Sequence, residues 1–135
     1  MKLALKMIYG VGDLERERIV LTALDNCDIG TSAIFVARRG TTSQTVEGGS
    51  IPHCFWWPDK RVKEGDLIVL YTKTGAPSVK ENPSGLTSHF FYWDLNEPVW
   101  KPDKVAVLVE IGRQWAQLAV DEEEAMEVPS EESNG

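Results

Sequence analysis

Two histidines, two cysteines and a few paired acids are the side chains with which this chain could do acid–base, nucleophilic or metal chemistry. His53 and Cys54 are neighbours, so on a strand their side chains point to opposite faces. With Cys27 and His89 they complete the set of soft metal ligands, but no C-x-x-C or H-x-x-x-H spacing joins them. No spacing marks a base and its orienting partner around either thiol. Asp59 with Glu64, and Asp94 with Glu97, flank turns, where two acids can act as acid and base or simply stand in solvent. The stretch 40–49 is rich in glycine and hydroxyls, yet neither G-x-x-x-x-G-K-[ST] nor G-x-G-x-x-G occurs in the chain. These residues point away from catalysis, with no cofactor and no metal expected.

Binding residues are a better fit to the composition. In the run 51–57, Ile51, Phe55 and Trp57 share one strand parity and suit a core. Trp56 shares the other with Pro52 and Cys54, which makes it either an outward binding anchor or a ring covered by a neighbouring loop. Tyr92, Trp93, Trp100 and Trp115 could form a platform for stacking bases, or pack inside. Arg38-Arg39 and Lys60-Arg61-x-Lys63 are short basic groups, able to form an anion patch or to guard strand edges. The segment from Gly75 to Ser88, with two Pro and two Gly, reads as a long loop. It offers Lys80, Glu81, Asn82 and an apolar tip, Leu86, for recognition, or is a tolerated insertion.

The elements that must position these residues read as strands. Leu3 to Tyr9 alternates, with Leu3, Leu5 and Met7 set against Ala4, Lys6 and Ile8. Asp13 to Leu24 could open a helix on an Asp13 cap, but the β-branched run 19–22 favours a strand. Further strands are expected at 33–37, 51–57, 67–73, 89–95 and 105–111, with a closing hairpin partner at 114–120. About eight or nine short strands divided by Gly/Pro/Asn/Asp turns, with no convincing helix, predict an all-β sandwich.

The charge is segregated. The net charge is −7, and seven acids with no Lys or Arg lie from Asp121 onward. Without those seven, 14 acidic residues face 14 basic ones, so the body is neutral and has no global attraction for phosphate backbones. Residues 1–120 are thus expected to form one domain and 121–135 a disordered acidic tail, either solubilising or in contact with a basic partner. The apolar run at the N-terminus is broken by Lys6 and too short for a signal peptide, and no stretch approaches a membrane span. A cytoplasmic location, without membrane contact and with reduced thiols, is expected.

Several short patterns resemble a lamin-tail-like domain. They are the strand–turn–strand of 17–37, Phe55-Trp56-Trp57-Pro58, and Gly65-Asp66 leading into 67–71. The strongest is Phe91-Tyr92-Trp93, then Val99-Trp100, Asp103 and the strand 105–108, with Gly112 before a last strand. The resemblance spans roughly residues 15–120. It departs at Lys101, where the family usually has Asn, and at Asp103-Lys104, where it has Gly-Asp. It implies an immunoglobulin-like β-sandwich serving as a binding or attachment module. The expected function is therefore a non-catalytic protein-interaction module with a protein partner. The alternatives are a nucleic-acid-binding domain that uses local basic and aromatic patches, and a small-molecule enzyme.

Overall fold

The computed structural model of the chain describes residues 1–40, 46–49, 53–112 and 116–119. The fold is an all-β sandwich, as the turn spacing and strand alternation predict. Eleven strands are present among the described residues: β1 (Leu3–Tyr9), β2 (Arg18–Ala23), β3 (Cys27–Asp28), β4 (Ser32–Arg39), β5 (Val46–Glu47), β6 (Cys54–Trp56), β7 (Arg61–Val62), β8 (Leu67–Tyr71), β9 (Ser78–Glu81), β10 (Thr87–Tyr92) and β11 (Lys104–Glu110). This exceeds the eight or nine expected because three of them are two-residue pairings too short to carry an alternation. One 3-10 turn, Ile29–Thr31, is capped by the Asp28 carboxylate, which accepts from the Gly30 N–H. No helix among the described residues is long and apolar enough to cross a membrane.

One sheet has the order β1-β2-β8-β10-β9, and the other centres on β4, flanked by β11, β5 and β6. β3 and β7 form a separate ribbon. The core lies between the two main sheets. Alternate residues of β2 and β8 (Ile19, Leu21, Ile68 and Leu70) point into it and are almost fully buried. They meet Ile34 and Val36 of β4, whose register partners Leu108 and Ala106 pack against the same core. Trp57 and Trp100 are each only 2% exposed and close the interior. Trp93 and Phe55 pack edge-on beside them, with ring centroids 5.8 Å apart. Burying a side chain of this size is worth about 3–5 kcal/mol against its removal. Trp93 and Trp100 therefore belong to the core and not to a base-stacking platform. Trp115 of that platform, Ile51 and the acidic tail 121–135 lie outside the described residues.

Three expectations are corrected. Residues 75–88 are not a loop: β9 lies within them, joined to β10 by a tight turn in which the Asn82 N–H donates to the Leu86 carbonyl and the Gly85 N–H to the Asn82 carbonyl. Gly85 takes the left-handed φ of +89° that this turn requires. All four β9 residues are exposed, so no apolar alternation announces the strand. In β1 a bulge between Leu5 and Met7 shifts the register. Beyond it Ile8 faces the core, while Met7 and Tyr9 turn outward, against the simple alternation of Leu3, Leu5 and Met7. Residues 116–119 are not in a strand, so the expected closing partner of β11 is not formed there. The segment 18–23, by contrast, is a strand as its β-branched run favoured.

β8 and β10 run parallel, although every other strand pairing among the described residues is antiparallel. The chain leaves β8, passes beyond the place of β10 to form the edge strand β9, and returns to fill the gap. Gly75 lies on this crossover. A Cβ placed there would stand 2.4 Å from the Tyr92 ring, inside contact distance. Gly75→Ala is expected to destabilise the fold by about 1–3 kcal/mol, the usual cost of overpacking, read as a lowered urea midpoint at unchanged m-value.

Candidate interaction surface

The outward side chains of the five-stranded sheet are set by strand parity and assembled by register. Met7 pairs with Val20, Val20 with Val69, and Val69 with Phe90, which gives an apolar row across four strands. The next row is Tyr9, Arg18, Tyr71 and Tyr92. The Arg18 guanidinium lies 4.8 Å from the Tyr9 ring centroid and 5.8 Å from that of Tyr71, so a cation sits between two aromatic faces. Tyr71 and Tyr92 stack at 5.4 Å with an interplanar angle of 11°. Lys73 Nζ stands 5.2 Å from the Tyr71 ring and 3.6 Å from the Glu15 carboxylate.

Lys6, Arg18, Tyr9, Tyr71 and Phe90 help line a shallow groove of about 460 Å³ on this face. Its apolar floor includes Val20 and Val69, and Met7, the register partner of Val20, is 54% exposed. The composition is that of an interface centre: tyrosines, Arg and Met around aliphatic side chains. Lys6, Arg18 and Lys73, against Glu15, also make the face locally cationic within a neutral body.

The residues singled out in the sequence fall into two places. Lys80 and Glu81 stand exposed on β9, at the edge of this sheet, and Asn82 and Leu86 form the adjoining turn. The Asn82 amide donates to Ser88 Oγ at 3.1 Å, and Leu86 leans over Gly65. Trp56 belongs to the other sheet. It is 52% exposed, on the face its parity assigns, and its indole N–H donates to the Gly30 carbonyl at 2.7 Å. Its register neighbours there are Ala33 and Val109, a small apolar row without charge.

Two buried carboxylates escaped the sequence reading. Glu17 is wholly buried: its Oε1 accepts from the Gly12 N–H, and its Oε2 from Thr72 Oγ1 and the Val99 and Trp100 N–H groups. Asp66 accepts from the Lys63 and Thr87 N–H groups and lies 2.9 Å from His89 Nε2. Burial pushes the Asp66 carboxyl up, but the His89 and backbone hydrogen bonds outweigh it and hold the group below its ordinary range. The signals were Glu17 opening β2 and Asp66 opening β8, yet their partners lie up to 83 residues away. The outward rows escaped for the same reason, since only register joins Tyr9 to Tyr92.

Burial pushes both the Cys27 and Cys54 thiols up, opposite to the direction that activates a nucleophile. Asp94 accepts from Thr74 Oγ1 at 2.6 Å and holds a left-handed turn at φ +65°. Among the described residues no three of His, Cys, Asp and Glu converge as a metal site. No family model, curated protein or solved structure matches this chain.

Proposed function

We propose that the chain is a non-catalytic protein-interaction module on a lamin-tail-like, immunoglobulin-like sandwich, binding its partner on the outward face of the five-stranded sheet. The observation that carries this reading is the Tyr9–Arg18–Tyr71–Tyr92 row beside the apolar Met7–Val20–Val69–Phe90 row. The partner is a protein segment with apolar side chains flanked by acids, which complements the aliphatic floor and the cations Lys6, Arg18 and Lys73. Lys80 and Glu81 on β9, with Asn82 and Leu86 in the turn, border the same face and extend it. The tyrosine faces favour protein over nucleic acid: Tyr71 is stacked on Tyr92 and approached by Arg18 and Lys73, so its π-surface is already engaged. Bases need open rings on which to stack.

Arg18→Glu tests the proposal without removing any core residue. Wild-type protein on a solid support is expected to retain a specific protein from a cell lysate of its source. The Arg18→Glu variant is expected to lose at least about 30-fold in affinity for the captured protein, the scale of a central interface residue. Trp56→Phe, on the other sheet, serves as the comparison and is expected to bind as wild type does. Equal capture by Arg18→Glu, or retention only of nucleic acid in a salt-sensitive manner, would overturn the proposal.

A further inference from the structure

A second concavity lies apart from the sheet face and shares no residue with its groove. It encloses about 230 Å³, below the roughly 300 Å³ at which pockets for drug-sized ligands begin. Its deep wall is apolar: Val36 and Val99 are buried, with Leu95 and Pro98 half-buried beside them. Its mouth carries Lys101, Lys104 and His53, together with Asn96 and Glu97. Neither lysine makes an ion pair among the described residues. Both come from one turn, closed by the Lys104 N–H donating to the Lys101 carbonyl.

The walls are fixed before any ligand arrives. The Glu17 carboxylate holds the Val99 and Trp100 amides from below. The His53 carbonyl accepts from the Val36 N–H, and its ring packs edge-on against Trp93 at 6.2 Å. An apolar cup with two ammonium groups at its mouth that make no ion pair among the described residues matches a small ligand with one apolar end and one anionic end. The Glu97 carboxylate at the same mouth reduces its formal charge to that of a single cation, which one carboxylate balances. The apolar wall then favours a carboxylate with an apolar end over inorganic phosphate, which has nothing to fill it.

We propose that this cavity binds a carboxylate carried on a short branched apolar group. The apolar group fills the cup of Val36, Leu95, Pro98 and Val99, and the carboxylate takes the Lys101 and Lys104 ammonium groups. A peptide C-terminus ending in a branched apolar residue and a free branched-chain acid share this chemistry. The inference is independent of the sheet-face reading, since neither site uses the other's residues.

The test is a titration of the ¹⁵N-labelled full chain, followed by NMR. N-acetyl-leucine is expected to bind with a Kd on the order of 1 mM, as befits a ligand of its size, and to shift the amides of Val36, His53, Leu95 and Val99. N-acetyl-leucinamide, which lacks the charge, is expected to bind at least about tenfold more weakly because the lysines supply that discrimination, and inorganic phosphate likewise because it has no apolar end for the cup. The Lys101→Gln/Lys104→Gln variant, whose unchanged spectrum elsewhere verifies its fold, is expected to abolish the preference for the acid over the amide. Glu97→Gln is expected to tighten acid binding about twofold or more by removing a like charge. A tripeptide ending in leucine that binds more tightly than isovalerate assigns the site to a protein terminus, and the reverse order assigns it to a free acid. Equal affinity for acid and amide, an unaltered preference in the double-lysine variant, or shifts confined to other parts of the molecule would sink the proposal.

Discussion

Glu17→Ala is expected to lose about 3–5 kcal/mol, a large part of the usual domain stability of about 5–15 kcal/mol and enough to leave the chain marginal if that stability lies at the low end. Glu17 has no exposed surface, and its two oxygens receive four donors. Three of these are backbone N–H groups, from Gly12, Val99 and Trp100, and the fourth is the Thr72 hydroxyl. One side chain thereby ties the turn before β2, the end of β8 and the segment that delivers Trp100 to the core. Alanine leaves these donors without an acceptor, and a buried donor left unmade costs about 1–3 kcal/mol. Glu17→Gln keeps the shape but turns one oxygen into an NH₂ group that faces donors, so it recovers little. Thr72→Val is expected to be much milder, near 1 kcal/mol, because it removes a donor and leaves Glu17 with three others. Urea unfolding of the three variants, followed by tryptophan fluorescence, measures the order. A Glu17→Ala protein as stable as wild type would show that the four contacts carry no net weight.

What the sequence made legible is local, and Glu17 shows where legibility ends. The strands β2, β8 and β11 were readable because their apolar residues are β-branched or alternate within a few positions. Trp57 was readable as core from the parity it shares with Phe55, whereas parity set Trp56 on the opposite face without deciding whether a loop covers it. β9 was not readable, because an edge strand with four exposed residues has no face to distinguish. The reversal of Met7 and Ile8 was not readable either, since a bulge leaves no compositional mark. Sites assembled across strands were hidden for a topological reason. Tyr9 reaches Tyr92 only through Arg18 and Tyr71, in a sheet whose parallel β8–β10 pair reverses the order expected of consecutive hairpins. Glu17 and Asp66 carry no local mark of their roles, because nothing beside their strands announces an acceptor for amides some 20 to 80 residues away.

Asp66 carries the second large expectation, and it depends on pH. Its carboxylate is 3% exposed and sits just before β8, accepting from Lys63 N at 3.0 Å, Thr87 N at 3.1 Å and His89 Nε2 at 2.9 Å. The last two donors belong to β10, so Asp66 clamps the head of the parallel β8–β10 pair, the pairing type that is intrinsically slightly weaker. Burial alone would raise its pKa. The hydrogen bond from His89, those from Lys63 and Thr87, and the His89 charge together bring it below the ordinary 3.8. A depressed carboxylate stabilises the fold fully above its unfolded value and loses that contribution as pH falls through the folded value. Wild-type stability is therefore expected to drop below about pH 4. Asp66→Asn is expected to be less stable by about 2–4 kcal/mol at neutral pH, having lost a charged acceptor for three donors. The difference between the two proteins should then shrink as the medium is acidified beneath 3.8, because only the wild type has this carboxylate to protonate. His89→Leu removes the strongest downward influence and leaves two amide donors, so its acid loss is expected to begin at a higher pH than that of wild type. Urea midpoints of the three proteins across the acid range decide the matter. A constant gap between wild type and Asp66→Asn would mean that Asp66 contributes by shape and neutral hydrogen bonding, and that its charge does not hold the parallel pair together.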